Sequence, residues 1–208
     1  MDKNFIIGIP LRDFRDPMTR LSSDINLDER INLMKHMFLN IVKSFQETNV
    51  EIFSITKDSS VIDYSKKIGI ESFISKSKGL SEEAIEFLNS NKKYKGWTIC
   101  HSDLPYITKY YAKNWINECM NNEILICESK DSGTPLIGGN NYIESFHYGE
   151  NSYKKHTEML NNKNINYKKV FHKELSFEVD DLEDYKQLIK NQPRWLRKIS
   201  NTSSPDRI

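Results

Sequence analysis

A carboxylate ends an apolar stretch in the middle of the sequence. Residues 97–102 are mostly apolar and predict a buried strand, and Asp103 and Pro105 follow directly. Pro105 cannot donate a hydrogen bond to a sheet and therefore ends the strand. Because ligands of open α/β sheets bind beyond the carboxyl ends of the strands, Asp103 is the first candidate for chemistry. This stretch alone leaves open the alternative that Asp103 only forms a turn before the proline.

Two more acidic residues lie at the end of a later apolar stretch. Residues 176–179 predict a strand, on which Glu178 and Asp180 would project from the same face because side chains alternate along a strand. Two carboxylates on one face repel each other unless a cation lies between them. Glu178 and Asp180 are therefore the best candidates for metal ligands.

Three arginines follow the first predicted strand. Residues 5–9 form a short apolar stretch, and the polar loop at 11–24 carries Arg12, Arg15 and Arg20. The planar guanidinium group matches the oxygens of a phosphate, and the sequence has no glycine-rich phosphate motif. The loop therefore predicts a triphosphate clamp built from arginines, with a solvated basic loop as the alternative.

Two predicted helix starts are suited to an anion. Gly149 precedes a helix that begins at Ser152, and free amides and the helix dipole at such a start attract negative charge. Gly79 opens another helix, for which Ser81 is a plausible cap. An ordinary capped helix and a plain turn are the respective alternatives. His156 lies one turn into the first of these helices and faces either a site or the core.

The order of elements predicts an α/β fold. Strands and helices alternate along most of the chain, which favours a parallel sheet with helices on both faces. The predicted strands are residues 5–9, 50–55, 70–74, 97–102, 124–128, 167–171 and 176–179. The predicted helices are residues 27–45, 60–69, 81–89, 108–120, 152–161 and 181–189.

Composition limits the classes of protein to consider. The length of 208 residues fits one domain, predicted at 1–192, followed by a polar and disordered tail at 193–208. Lys and Arg total 30 and Asp and Glu 29, so no overall charge attracts nucleic acid or a membrane. The three cysteines have no metal-ligand spacing and predict reduced thiols. Without a signal peptide or an apolar span, we expect a cytoplasmic protein, as a monomer or a homodimer.

Taken together, these segments resemble the 2-phospho-L-lactate guanylyltransferase family of coenzyme F-420 biosynthesis, which includes enzymes acting on phosphoenolpyruvate. The resemblance covers roughly residues 5–190. The matching segments, in the order of the family's motifs, are Pro10–Arg12 with Thr19–Ser22, Gly79–Ser81, Asp103–Pro105, Asp131–Thr134, Phe146–Ser152 with His156, and Glu178–Asp180.

The resemblance implies a three-layer α/β/α Rossmann-like nucleotidyltransferase fold with a mostly parallel central sheet. It also implies an enzyme that transfers GMP from GTP to a small phosphorylated acid and releases pyrophosphate. The acid would be 2-phospho-L-lactate, phosphoenolpyruvate or an analogue such as phosphoglycerate. By the same resemblance, Asp103, Glu178 and Asp180 would hold Mg²⁺.

The resemblance further assigns the two substrates to separate segments. The phosphate and carboxylate of the acid would bind at Thr134, Gly149 and Ser152. The catalytic residues would be Arg12, Arg20 and Asp103. The residues facing the nucleotide would be Leu11, Arg12, Arg20, Gly79, Leu80, Ser81 and Ser102.

Four positions depart from the family's motifs. Met18 replaces a Lys, Ser81 and Pro135 replace Asn, and Glu178 replaces an Asp. Glutamate is still a hard oxygen ligand, so the metal prediction stands. The lost amide groups leave open a related nucleotidyltransferase with another base or acceptor. A nucleotide-binding protein without turnover is the third alternative.

Overall fold

A computed structural model describes residues 4–200 of the protein, with side chains through residue 198. In the described part of the chain, the strands form one sheet of seven in the order β3-β2-β1-β4-β6-β5-β7. The strands are β1 (Phe5–Pro10), β2 (Glu51–Ile55), β3 (Glu71–Phe73), β4 (Gly96–Cys100), β5 (Ile124–Cys127), β6 (Leu136–Gly139) and β7 (Tyr167–Val170). All neighbours are parallel except β6, which is antiparallel to β4 and β5.

Helices cover both faces of the sheet, so the predicted three-layer α/β/α fold is confirmed. The helices are α1 (Leu27–Gln46), α2 (Ser59–Lys67), α3 (Leu80–Ser90), α4 (Lys109–Asn121), α5 (Ser152–Asn162), α6 (Lys173–Ser176), α7 (Leu182–Lys190) and α8 (Arg194–Ser200). A short 3₁₀ helix at Thr19–Leu21 lies in the arginine loop. None of the helices within residues 4–200 is long and apolar enough to cross a membrane.

Two apolar cores lie on opposite faces of the sheet. Along β1, Ile7 and Ile9 join the core under α1 and α4, whereas Ile6 joins the core under α3 and α5. This alternation follows from the period of two along a strand that is buried on both faces. β1 is therefore held in the middle of the molecule, and the loop after it begins from a fixed point.

Gly8 allows α3 to lie directly on β1. A Cβ atom added at Gly8 would lie 2.6 Å from the ring of Phe87, which belongs to α3. Glycine is the residue that permits such a close approach of another element to the strand. α3, which begins at Leu80, is therefore held directly against β1.

Several local predictions are wrong. Residues 176–179 are not a strand, because helix α6 ends at Ser176 and the chain then continues without a strand partner. β6 was not predicted, since its four residues end in two glycines. The cap of α2 is Asp58, whose carboxylate accepts from the amides of Ser60 and Val61, and Ser60 lies inside the helix.

The predicted disordered tail is wrong over residues 194–200, which form α8. The indole N–H of Trp195 donates to the carbonyl of Pro105 at 2.8 Å, and its ring stacks on His36. An aromatic side chain with a partner for its N–H can anchor an otherwise polar segment. Residues 201–208 of the predicted tail lie outside the described residues.

The cysteines are free and buried, in agreement with the prediction, at Cys100, Cys119 and Cys127.

Candidate active site

Parallel strands bring the predicted nucleotide and metal segments to one edge of the sheet. β1 pairs in parallel with β2 and with β4, so the loops that follow these strands begin side by side. The amide of Leu11 donates to the carbonyl of Ile55 at 3.1 Å, which holds the first loop against the end of β2. The amide of His101 donates to the carbonyl of Pro135 at 2.9 Å. The segment that carries Asp103 is therefore fixed against the residue before β6.

A histidine and two carboxylates meet beyond the end of β4. One possible ligand atom from each of His101, Asp103 and Glu178 lies within 4.8 Å of the other two. The Nδ1 of His101 donates to Oε1 of Glu178 at 2.6 Å. The amide of Val179 donates to the carbonyl of Asp103 at 3.2 Å. That backbone bond holds the two acidic segments together although no strand pairing connects them.

The electrostatics of this cluster are those of a site that favours positive charge. Burial and the neighbouring Glu178 raise the pKa of Asp103 to about 7. Burial lowers the pKa of His101, but the hydrogen bond and charge of Glu178 and the charges of Asp103 and Asp180 outweigh it and raise that pKa to about 9. Carboxylates are thus held together out of water at an energetic cost that a cation would relieve.

Three buried polar atoms at this place lack a hydrogen-bond partner. They are Oδ1 of Asp103, Nε2 of His101 and the hydroxyl of Tyr148. Buried polar atoms in a folded protein are normally paired, so three unpaired atoms at one site indicate room for a ligand. Two carboxylates with an unpaired oxygen fit a divalent cation. The residues present therefore suit the predicted Mg²⁺.

Asp180 lies near this cluster but is not one of its members. Burial and the charge of Glu178 raise its pKa, and the charge of Arg20 partly opposes them. Because residues 176–179 are not a strand, the expected alternation does not set the directions of these side chains. Glu178 and Asp180 nevertheless line one cavity of about 440 Å³. The structure brings Asp180 to the border between the acidic cluster and the arginine loop.

The predicted acid-binding residues form a buried chain of hydrogen bonds. The hydroxyl of Ser152 donates to Oγ1 of Thr134 at 3.2 Å, and Nδ1 of His156 lies 3.0 Å from the same oxygen. The amide of His147 donates to Nε2 of His156, so Nδ1 carries the proton and donates to Thr134. Burial lowers the pKa of His156 to about 3, which keeps its ring neutral. His156 therefore faces this segment and holds Thr134 in place.

Fewer backbone amides are free at the start of α5 than at an uncapped helix end. The amide of Ser152 donates to the carbonyl of Gly149, and the amide of Tyr153 donates to the carbonyl of Ser132. Thr134 and Ser152 are almost completely buried, whereas Gly149 is exposed. An anion would therefore approach from the side of Gly149, whose φ of 108° suits glycine.

The predicted nucleotide residues divide into exposed cations and buried framework. Arg12 and Arg20 are exposed, whereas Leu11 and Ser102 are buried. Arg15 is engaged elsewhere, because its side chain pairs with Asp13 at 3.5 Å and Asp58 at 3.7 Å. The structure thus leaves two of the three arginines of the predicted clamp free of such pairs among the described residues.

Tyr148 connects the segments that the sequence suggested separately. Its amide donates to the hydroxyl of Ser81 at 2.9 Å, beside Gly79 and Leu80 at the start of α3. Its ring lies 5.4 Å from the ring of His101 and 5.1 Å from that of His156. The segments predicted to bind the nucleotide, the metal and the acid are therefore neighbours in the fold.

His101 and Tyr148 belong to the candidate site but were not among the residues predicted from the sequence. His101 is the first residue after β4, and a polar side chain at the end of a buried strand is itself a signal. Tyr148 lay within the segment predicted to bind an anion, but its contacts depend on residues far away in the sequence. Only the folded chain brings both side chains to the carboxylates.

Solved structures resemble this fold. A protein of Desulfovibrio desulfuricans G20 that was assigned as a nucleotide-diphospho-sugar transferase superimposes with a TM-score of 0.81, at 14% identity and 96% coverage of both chains. The 4-diphosphocytidyl-2C-methyl-D-erythritol synthase of Anaerococcus prevotii gives a TM-score of 0.64, at 12% identity, with 91% of this chain and 96% of that chain covered. At such identities these similarities establish the fold alone.

Proteins related by sequence indicate the family of this chain, which the solved structures do not. The 2-phospho-L-lactate guanylyltransferase of Methanobrevibacter smithii is 29% identical over 162 residues, which cover 76% of this chain and 71% of that protein. The enzyme of the same name from Methanosphaera stadtmanae is 28% identical, with 87% of this chain and 82% of that protein covered. A family model described as guanylyl transferase, CofC-like, matches residues 5–207. The chain therefore belongs to the family of CofC-like guanylyl transferases.

Proposed function

We propose that the protein transfers GMP from GTP to a small phosphorylated acid and releases pyrophosphate, as a step of coenzyme F-420-type biosynthesis. 2-Phospho-L-lactate is the first acceptor to consider, because relatives that match most of this chain are named for that substrate. Phosphoenolpyruvate and phosphoglycerate are the next acceptors, since they also combine a phosphate with a carboxylate.

The observation that carries this proposal is the meeting of three segments around Tyr148. Ser81 at the start of α3 accepts from the amide of Tyr148, and the ring of His101 in the acidic cluster lies against the ring of Tyr148. On another side, that ring lies against His156, which is hydrogen-bonded to Thr134. A transfer between two phosphates needs both substrates within reach of the same cation. This arrangement supports a site where a triphosphate and a phosphorylated acid lie side by side.

The chemistry needs no general base. The acceptor is a phosphate monoester, which is largely a dianion at neutral pH because its second pKa is near 6. One of its oxygens attacks the α-phosphorus of GTP, the bond to the β-phosphate oxygen breaks, and pyrophosphate leaves in line. Repulsion between the two anions is then the main barrier, and positive charge lowers it.

Positive charge would come from two sources, a cation bound by carboxylates and the arginines of the loop after β1. Asp103 and Glu178, with Asp180 beside them, would hold Mg²⁺, which neutralises phosphate oxygens when it is bound. Arg12 and Arg20 are exposed at the neighbouring loop and would bind the triphosphate oxygens through paired N–H groups. The arginines thus act on the nucleotide and the carboxylates on the cation.

The acid would be held by the segment at the start of α5. Thr134 and Ser152 fix each other and orient the turn at Gly149, which offers exposed backbone to an anion. Since Thr134 and Ser152 are buried, their role is to hold this turn. The exposed backbone at Gly149 would contact the phosphate or carboxylate directly.

A pyrophosphate-release screen tests the proposed function. GTP, ATP, CTP and UTP are each incubated with 2-phospho-L-lactate, phosphoenolpyruvate and 3-phosphoglycerate in the presence of Mg²⁺. We expect release only with GTP and at least one of these acids. Release with another nucleotide would favour a related nucleotidyltransferase of different base specificity. Nucleotide binding without release on a wider panel of acceptors would favour a binding protein.

A further inference from the structure

The acidic cluster of this chain contains a nitrogen donor that a site of carboxylates alone would lack. Among residues 4–198, the only group of three possible metal-ligating side chains with atoms within 4.8 Å of one another is His101, Asp103 and Glu178. Asp103 keeps one buried carboxylate oxygen without a partner. Nδ1 of His101 lies 2.6 Å from Oε1 of Glu178, so a cation bound between these atoms would displace the proton that they share.

The imidazole of His101 is held from three sides. Its backbone amide is bonded to the carbonyl of Pro135, its ring lies against Tyr148, and its Nδ1 donates to Glu178 at 2.6 Å. Nδ1 is the ligating nitrogen, because it already lies beside Glu178, whereas Nε2 is on the far side of the ring. Nδ1 loses its proton when the cation binds, since an imidazole must be deprotonated at the nitrogen that binds a metal.

We infer that His101 is a metal-ligating residue and that the site it forms with Asp103 and Glu178 binds Mn²⁺ or a similar first-row transition ion more tightly than Mg²⁺. This inference rests on the proposed function only in assuming that a divalent cation binds at the site.

The chemical reason is the mixed set of nitrogen and oxygen donors. Mg²⁺ is a hard ion that is bound by oxygen and keeps several waters, so an imidazole adds little to its affinity. Imidazole suits ions of the first transition series, whose affinities rise from Mn²⁺ towards Cu²⁺. The oxygens of Asp103 and Glu178 would still bind Mg²⁺ at higher concentration, and His101 would set the preference.

Electron paramagnetic resonance of Mn²⁺ with the full chain tests this inference without any substrate. Loss of the signal of free Mn²⁺ gives its dissociation constant, and competition with Mg²⁺ gives that of Mg²⁺. Pulsed measurements detect the coupling of a directly bound ¹⁴N nucleus to the Mn²⁺ electrons. We expect tighter binding of Mn²⁺ than of Mg²⁺ and a clear ¹⁴N coupling in the unaltered protein.

His101→Gln tests the source of the preference, because glutamine can still donate to Glu178 but offers no imidazole nitrogen. We expect the ¹⁴N coupling to disappear and the affinity for Mn²⁺ to fall by about tenfold or more. The affinity for Mg²⁺ should change by less than about threefold, since every carboxylate oxygen remains. His36→Gln is the matched control, because His36 lies on α1 and stacks on Trp195. It should leave both affinities and the coupling unchanged.

The outcomes separate this inference from the proposed function. Absence of ¹⁴N coupling in the unaltered protein, or equal losses of Mn²⁺ and Mg²⁺ affinity in His101→Gln, would overturn the inference even if GMP transfer is observed. A ¹⁴N coupling that His101→Gln removes would support it even if no tested acid accepts GMP. The measurement on the unaltered protein remains decisive if the variant does not fold.

Discussion

The carboxyl ends of β1 and β4 are neighbours in the sheet but differ in how their charges are held. After β1, Arg12 and Arg20 are exposed to solvent. After β4, Asp103 and His101 are packed against Glu178 with buried atoms that lack partners. The cations are exposed to solvent, whereas the carboxylates are desolvated and held by hydrogen bonds. The two sides of the site therefore differ in how their charges are held before a ligand binds.

This difference follows from the sheet. β4 lies between β1 and β6, and the segment after it is bonded to Pro135 and to Val179. The loop after β1 is anchored by buried apolar residues such as Phe14 and Leu21, but its side chains Arg12 and Arg20 are exposed. Fixed carboxylates cost stability but lose no conformational freedom on binding, whereas exposed arginines must give up that freedom when they bind a phosphate. Substitutions on the two sides should therefore have different signatures.

Asp103→Asn should have the largest effect on turnover. The amide keeps the shape of the side chain but loses the charge that holds the cation, which contributes several kcal/mol to lowering the barrier. We expect the rate of pyrophosphate release at saturating substrate to fall by about a thousandfold or more. A turnover close to that of the unaltered protein would contradict the assignment of Asp103 to the metal.

The same variant should change how stability depends on pH. The pKa of Asp103 is raised to about 7, so the folded state binds this proton more tightly than the unfolded state does. Stability from this group is therefore lost as pH rises from about 4 towards 7. Thermal unfolding in a chelator should show a smaller loss over that interval for Asp103→Asn than for the unaltered protein. Parallel curves would show that Asp103 is not desolvated.

Arg20→Ala should have an intermediate effect, on binding more than on folding. Hydrogen bonds between charged groups contribute about 1.5–3 kcal/mol each, so kcat/KM for the nucleotide should fall by about 10- to 100-fold. Thermal stability should be unchanged because the side chain is exposed.

Arg15→Ala is the matched control for this prediction, with the same loss of charge in the same loop. Its guanidinium is already paired with Asp13 and Asp58, and kcat/KM should change by less than about twofold. Equal losses in both variants would mean that the loop acts through its overall charge rather than through Arg20.

Trp195→Phe should have the smallest effect and one confined to stability. It removes the hydrogen bond from the indole to Pro105, which follows the acidic segment, and keeps an aromatic ring. Such a bond contributes about 1 kcal/mol, which corresponds to a fall in Tm of about 2–4 °C for a chain of this size. A large loss of turnover with a normal Tm would show that α8 acts on the site itself.

Local sequence patterns predicted most of the sheet but not its antiparallel part. The apolar runs of β1, β2, β4 and β5 are short and bounded by polar residues, which is typical of buried strands. β6 ends in Gly138 and Gly139, and a Cβ added at Gly139 would lie 1.9 Å from the carbonyl oxygen of Glu123. Glycine there serves close packing, which is set by a neighbouring segment and is not visible in a local pattern.

In the candidate site, too, local sequence predicts some residues, whereas contacts between distant segments bring in the others. Asp103 could be predicted because its place at a strand end follows from local sequence. The pairing of His101 with Glu178 joins residues 77 positions apart and depends on how α6 returns the chain to β4. The false strand at 176–179 arose because alternating apolar residues also occur in extended chain that pairs with nothing. Glu178 reaches the cluster through the loop after α6.

In the proposed reaction, an oxygen of the acid's phosphate attacks the α-phosphorus of GTP. Phosphorus NMR of a reaction with GTP, Mg²⁺ and 2-phospho-L-lactate tests this step directly. We expect two coupled phosphorus signals, from a new P–O–P bond between GMP and the acid, together with free pyrophosphate. Appearance of GMP and pyrophosphate without the coupled pair would contradict transfer to the acid, because it would show hydrolysis of GTP instead.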